Sequence, residues 1–501
     1  MKIETIKMKN KHEHFQDFLE WEIIDEDIQI TNLSFEKGLY KLNKDCVITF
    51  SRNSHQDLVG TISGILEHPR DLDPKEKEIP GTFIENEVII GYTNNGIFKY
   101  KISGIALGAL SINPIVKDLS AFAFESELIF DSIEKNFNGY KSETDSIQEW
   151  YLSGKTSLYF PRSTGRSVEK KYTKSRNTID SEEEYKLDGG SGSSKDFLFV
   201  NGSGISFIVA EVPKEYGPDW SNNIVIEYRK SFGKIPSDDE RKAIAELVGF
   251  VFGNQLLKIG QTSYSKEKNI AIQEYKSPWG DNVFDKCQKP GFAPVYLKDS
   301  RNFSKVENLL NSLLPNYLKL GKSLQISDAL WKYWIARQSS LGTNLPILSS
   351  AIETLAENIL KSHTEYKSFY IEYKEFNELI KEELNSIETK LSDKPFKDKV
   401  LNKLKGAAQR GSNEKLEMMF EILNIQIGKI ERSALKARNK MAHSSIENDN
   451  IEDIKATIRL TRAYETLFHR VILKILSYDG DYIDYYTFGH PSRNIDDYIA
   501  E

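Results

Sequence analysis

The stretch PVYLKDSRNFSK (294–305) separates two textures of a 501-residue chain. Before it lie short segments rich in β-branched and aromatic residues: CVITFSR (46–52), EVIIGYT (87–93), FKYKISGIAL (98–107), FLFVNG (197–202) and GISFIVAEV (204–212). Gly, Asn, Asp and Pro punctuate them, and YTNNGIF (92–98) has the turn chemistry of a hairpin. One helix is expected among these strands, over 236–257, with Ser237 and acidic residues at its start. After the dividing stretch, Leu, Glu and Lys recur at helical spacing. The pattern predicts helices over 303–313, 325–339, 345–361, 366–391, 396–406, 414–426, 430–443 and 450–477, the last with Asp449 or Asn450 as cap and Gly480 just past its end. The expected fold class is α+β. A β-rich region of antiparallel sheets spans 1–300 and can divide into two near 140–150, and an all-helical region spans 301–501.

Bulk properties narrow the function classes. The chain is too long for one hydrophobic core, since single cores stop growing at about 250–300 residues. No apolar run approaches the ~20 residues of a membrane span, and MKIETIKMKNKHEH lacks the apolar segment of a secretory signal. Only Cys46 and Cys287 are present, which argues against a disulfide framework or cysteine-rich zinc site and suits a cytoplasmic setting. The net charge of −7 gives no global case for nucleic acid, so any such case is local.

One local case exists. Between 390 and 443 there are thirteen lysines and arginines against six acidic residues. This basic stretch leads into ARNKMAHSS (437–445). On a regular helix Asn439 and His443 share a face, four residues apart. Arg438 stands ~100° from Asn439 and ~140° from His443. A phosphate reaching across that flank would meet the planar donor fork of an arginine and a side chain able to exchange a proton near neutral pH. The plain alternative is a solvated helix end, where Arg and His both complement the dipole. Spacing alone also admits a rival pair, Arg462 and His469, two turns apart on the next helix and better aligned.

Other features carry less chemistry. His12 and His14 lack the second half of a metal site. GGSGSS (189–194) lacks the Lys-Ser/Thr of a phosphate loop, and the segments 70–81 and 180–196 read as polar loops. Trp150, Tyr151, Tyr159, Phe160, Arg162 and Arg166 could form a ligand surface, but aromatics in strands are more often core. No metal or cofactor is expected.

The run Arg438-Asn439-Lys440-Met441-Ala442-His443 resembles the RNA-cleaving motif of HEPN domains, in which a polar residue follows the Arg and a small residue precedes the His. Arg462/His469 lacks both features. Segment 345–360, LPILSSAIETLAENIL, is similar to the second conserved helix of the Apea-like branch, with Glu353 at its acidic position. YETLFHRVILKILSYDGDYID (464–484) resembles the helix and turn that close that domain. EWYLSGKTSLYFPRSTGR (149–166), followed by YTKSR (172–176), resembles the companion amino-terminal domain. The resemblance implies a metal-independent endoribonuclease of anti-phage defence, a homodimer cleaving cellular RNA, with tRNA the implied class and a phage-derived trigger. It implies that His443 transfers protons, Arg438 holds the scissile phosphate, Asn439 positions either of them and Glu353 orients Arg438. The competing reading is a non-catalytic binding protein whose helical part dimerises and whose β-rich part recognises a protein or glycan.

Overall fold

The computed structural model describes residues 27–36, 45–67, 84–115, 118–137, 143–154, 197–211, 218, 220–267, 269–278, 283–297, 303–363, 365–366, 369–443 and 450–500, with the short strand segments 167–168, 171–172, 184–187 and 190–193. Side chains at 84–86, 118–120, 167–193, 303 and 438–443 are outside the description. His12, His14, the 70–81 loop, Tyr159, Phe160, Arg162 and Arg166 also lie outside the described residues. The chain is α+β and divides into two compact units. One holds residues up to Phe292 with Leu297–Asn311, and the other holds Ala293–Tyr296 with Ser312–Glu501.

Among the described residues, the first unit opens with six antiparallel strands: β1 Ile28–Phe35, β2 Val47–Arg52, β3 Leu58–Leu66, β4 Ile84–Tyr92, β5 Phe98–Ile115 and β6 Asp118–Phe137. They pair in the order β6-β3-β2-β1-β4-β5, and β5 pairs back onto β6, so the strands close into a barrel. Closure removes the exposed ladder edges that invite aggregation. Alternation supplies the filling: Phe124, Leu128 and Phe130 of β6 are buried, whereas Glu125, Glu127 and Asp131 are exposed. Phe50 meets Tyr100 at 5.4 Å and Phe130 at 6.4 Å, edge to face, joining three strands inside. Gly60 lets β3 cross this interior, because a Cβ there would lie 2.3 Å from the Thr49 carbonyl. The β4–β5 turn closes as its sequence predicts. Gly96 takes φ +69°, its N–H donates to the Thr93 carbonyl at 2.8 Å, and Thr93 N–H donates to Phe98.

The first unit continues through β7 Thr144–Ser153, β8 Ser167–Val168, β9 Lys171–Tyr172, β10 Glu184–Leu187, β11 Gly190–Ser193, β12 Phe197–Gly202, β13 Ile205–Glu211, β14 Asn222–Arg229, α1 Asp238–Phe252, β15 Leu257–Ser265, β16 Ile270–Lys276 and α2 Val283–Gln288. Part of the segment 180–196, read as a loop, is paired: β10 and β11 form a hairpin. β6 is long enough to serve twice on one edge. Its residues 122–130 pair with β3, and 132–136 pair with β16. From β16 the sheet runs on through β15, β7, β14 and β13 to β12.

Both faces of β7 are buried from Ile147 to Ser153. Trp150 and Leu152 pack with Val225, Ile208, Val283 and Cys287. On the opposite face, Glu149 takes an ion pair from Arg241 of α1 at 2.9 Å and another from Lys258 at 2.5 Å. Ser237 and Glu240 form a reciprocal capping box at the start of α1. Cys46 and Cys287 are free thiols in different hydrophobic clusters.

The edge strand β12 is finished by side chains. In α3 (Phe303–Leu320), Glu307 Oε1 accepts the Phe199 N–H at 2.5 Å and Asn311 Oδ1 accepts the Asn201 N–H at 2.7 Å. Four helical residues rise ~6 Å, close to the ~6.6 Å spanned by two strand residues, so one helix face matches alternate strand amides. α3 runs past the expected end at 313, through Pro315. Proline removes one backbone bond, but buried Leu313, Leu314 and Tyr317 hold the turns on either side.

The second unit continues with α4 Ile326–Gln338, α5 Asn344–Ser362, α6 Tyr373–Leu379, α7 Lys381–Lys390, α8 Lys397–Lys405, α9 Ser412–Ile422, α10 Lys429–His443 and α11 Ile451–Ile475, then the hairpin β17 Asp481–Ile483 and β18 Ser492–Asn494. The single helix expected over 366–391 is instead α6 and α7, and it starts later. Phe369 bridges to Gln409, and the Tyr370 N–H donates to the Ala408 carbonyl at 2.9 Å. Those strand-like bonds take the amides a helix would need. Asn450 caps α11, accepting Glu452 N–H at 3.0 Å. The left-handed residue after α11 is Ser477, at φ +61°, rather than Gly480.

The edge clip generates a prediction. Replacing Glu307 and Asn311 together by alanine should leave two β12 amides without protein acceptors. Amide hydrogen exchange at Phe199 and Asn201 should then accelerate at least tenfold, the effect of ~1.4 kcal/mol, at the low end of the range for lost partners. Unchanged protection at both amides would contradict this role.

Candidate functional site

α10 carries ARNKMAH at its carboxyl end, and its amino end is held by a buried ion pair. Glu431 and Arg470 of α11 are both fully buried, with Nη1 and Oε1 3.0 Å apart. Neither group is left partly satisfied. Glu431 also accepts the N–H of Ile499 at 2.8 Å and of Gly428 at 3.1 Å. Arg470 donates to the carbonyls of Gln426 and Ile495, each at 3.1 Å, and lies 5.1 Å over the Tyr482 ring. Desolvation lowers the Arg470 pKa, opposed by Tyr482 and Glu431. A buried pair is tolerated when the remaining donors and acceptors are met in this way.

This clamp sets the roll of α10. Ile430, Glu431, Ala434 and Leu435 are buried, whereas Arg432, Ser433 and Lys436 are exposed. Seven residues make nearly two turns, so position 438 falls on the row of buried Glu431. Positions 439 and 443 fall on the rows of exposed Arg432 and Lys436. The backbone at Arg438, Asn439 and His443 is helical, while their side chains are among those not described. Glu353 is half-buried in the middle of α5, which packs against α9, α10 and α11. One turn on, Glu357 lies 3.7 Å from Lys415 of α9. The fold thus brings the helices bearing Glu353 and Arg438 together.

The histidine of the rival pair resolves as core. His469 is fully buried, with Nε2 2.8 Å from the Tyr333 hydroxyl. Burial, reinforced by the Arg337 charge, pushes its pKa down to about 3. A histidine held neutral there exchanges no proton near neutral pH. Arg462 is engaged by Glu465 one turn on, at 2.7 Å. Better alignment on a helix therefore did not mark chemistry, because at His469 α11 is packed into the bundle.

The basic stretch is partly neutralised. Lys397 pairs with Glu388 at 2.8 Å, Lys415 lies near Glu357 and Arg432 pairs with Glu417 at 2.5 Å. Glu388 and Glu357 lie outside the 390–443 window, so a count along the sequence overstates the local surplus. In the first unit, Trp150 and Tyr151 are core residues, with Tyr151 donating to Glu149 at 2.8 Å. Burial works to raise the Glu149 pKa, but Lys258 and Arg241 hold it below the usual carboxylate value. Tyr172 is in β9, with its side chain undescribed.

Sequence reading missed Glu431 and Arg470. The two are 39 residues apart, and each looks like an ordinary charged helix residue. The only local hint is the glutamate in the first turn of α10. No protein-family model, curated protein or solved structure matches the chain.

The His469 environment predicts a pH dependence. The folded pKa near 3 lies below the unfolded value of 6.5, so the unfolded state binds the proton first. His469 should therefore reduce stability progressively as pH falls below about 6.5. Urea titrations at about pH 7.5 and pH 5 should show a smaller loss for His469→Gln than for the parent. Equal losses would show that His469 does not carry the dependence.

Proposed function

We propose that the chain is a metal-independent endoribonuclease acting on cellular RNA, with tRNA the substrate class, through Arg438 and His443 of α10. In this reading His443 moves the proton at the attacking 2′-hydroxyl or the leaving oxygen. Arg438 holds the scissile phosphate and offsets its developing charge. The 2′-oxygen bonds to the adjacent phosphorus as the bond to the 5′-oxygen breaks. This yields a 2′,3′-cyclic phosphate and a 5′-hydroxyl, so the substrate must be RNA. Asn439 positions His443 or the phosphate, Glu353 orients Arg438, and the β-rich unit controls the activity.

The observation that carries the reading is the exclusion of the rival pair. His469 is sealed in the core, which leaves the Arg438-Asn439-His443 run as the histidine motif of the helical unit that fits the chemistry. The rows of α10 add a requirement. Positions 438 and 443 diverge by ~140° on a regular helix, so within one copy they meet only a phosphate that reaches across the flank. A second copy of the chain would complete the pocket, with Arg438 from one protomer facing His443 of the other.

Two measurements test this. Purified chain incubated with total RNA should cleave it, with and without a chelator. His443→Ala should reduce the rate ~10²-fold or more, the ordinary size of a general acid–base contribution. Cleavage that persists in both His443→Ala and Arg438→Ala rejects the site. Mixing those two inactive variants should restore part of the activity, because a mixed dimer holds one intact Arg/His pair. No recovery from co-expressed subunits would reject a site shared in trans.

A further inference from the structure

We propose that α8 and the turns flanking it form a docking ridge for single-stranded RNA, distinct from the Arg438/His443 run. The inference rests on the nuclease reading for its choice of nucleic acid, but its observations are separate. α8 contributes little to the core: Leu401 is its only buried residue, and α6 and α7 bury none. The helix instead displays charge. Between 393 and 411 there are six basic residues against Asp393 and Asp398, with Glu388 and Glu414 contacting the region from outside that window. Lys397 is tied to Glu388, but Lys394, Lys399 and Lys403 are exposed, the last two one turn apart on one face.

Aromatic rings bracket this lysine row. Phe396 is 48 % exposed at the amino end of α8. At the other end, the chain leaving α8 pairs with the 369–370 segment, and Arg410 lies 4.5 Å over the Tyr370 ring. Tyr370 is 53 % exposed. The nine residues of α8 alone rise ~13 Å. Tyr370 is already engaged, its hydroxyl donating to Glu414 and its ring beneath Arg410. That leaves the exposed Phe396 ring beside lysines as the feature that folding chemistry explains poorly. It suits a strand of nucleic acid, whose bases stack on rings while its phosphates run past cations. Stacking tolerates any base, so the ridge would bind without reading sequence. An acidic protein would match the lysines but gives no reason for rings at both ends of the row.

The test uses the full chain carrying His443→Ala, so that binding is measured without cleavage. The probe is a fluorescent single-stranded oligoribonucleotide of about 12 nucleotides, followed by anisotropy across a salt series. Lys399→Gln with Lys403→Gln should weaken binding at least tenfold. It should also flatten the slope of log affinity against log salt by ~1.4, the effect of losing two phosphate contacts on a single strand. Phe396→Ala should weaken binding about tenfold with the slope unchanged, which a charge effect alone would not produce. A control removing the same charge elsewhere, Lys242→Gln with Lys266→Gln, should bind like the parent.

The ridge is overturned if the parent does not bind the probe, or if the ridge variants bind within about twofold of it. It is equally overturned if they lose binding to a polyglutamate peptide but not to RNA. Ridge-dependent binding by a chain whose active form cleaves no RNA keeps the ridge and rejects the nuclease. Cleavage with ridge-independent binding does the reverse.

Discussion

A strand has two edges, and the arrangement of the first unit depends on how β6 uses its own. One edge is spent entirely on β5. The other is divided, first to β3 and then to β16. The first share closes the barrel, and the second extends the sheet. Where β6 changes partner, a serine spans the transition. Ser277 Oγ donates to the Phe130 carbonyl at 2.6 Å and accepts the Leu58 N–H at 2.8 Å, and its own N–H donates to Asp131. Arg52 reinforces the same junction, donating from the end of β2 to the carbonyls of Lys276 at 2.9 Å and Ile259 at 2.6 Å. Burial lowers the Arg52 pKa to about 10, yet the guanidinium stays charged at neutral pH. Backbone groups that the pairing change would strand in a dry interior are thereby met.

The helical unit solves a related problem with charge. The turn that precedes α10 would by itself leave the helix's amino end free to turn about its axis. Glu431 and Arg470 prevent that by tying the helix to α11, to the 426–428 turn and to the carboxyl-terminal segment at once. On a regular helix with that roll, position 438 continues the row of Glu431 and position 443 the row of Lys436. The orientation of the carboxyl half of α10 therefore depends on Glu431, two turns before position 438, and on Arg470 of the next helix. Removing either partner alone would leave the other charge buried, which is why such pairs hold orientation more reliably than they add stability.

Much of the architecture was legible along the chain because burial imposes a period. Strands alternate, as Phe124, Leu128 and Phe130 do against Glu125 and Glu127, and helices repeat near 3.6, as Ile430, Ala434 and Leu435 do. Local chemistry was legible too. Gly96 closes a turn, Ser237 with Glu240 opens a helix, and Asn450 caps another. The errors came where distant partners overrode local preference. Pro315 does not end α3, residues 369–370 leave the helical pattern for a bridge to 408–409, and Ser477 takes the left-handed role that Gly480 was expected to fill.

The sequence by itself determined the order of a strand-rich and a helix-rich region, most element positions and the run Arg438-Asn439-Lys440-Met441-Ala442-His443. Each of these is encoded within a few residues, where periodicity and turn chemistry act. Barrel closure, the divided edge of β6, the clip of Glu307 and Asn311 on β12 and the clamp of Glu431 on Arg470 were decided only in three dimensions. So was the fate of His469, which spacing presented as a better partner for an arginine than His443. Its burial against Tyr333 sets its pKa, and burial depends on what packs around a residue, which no spacing along one helix contains.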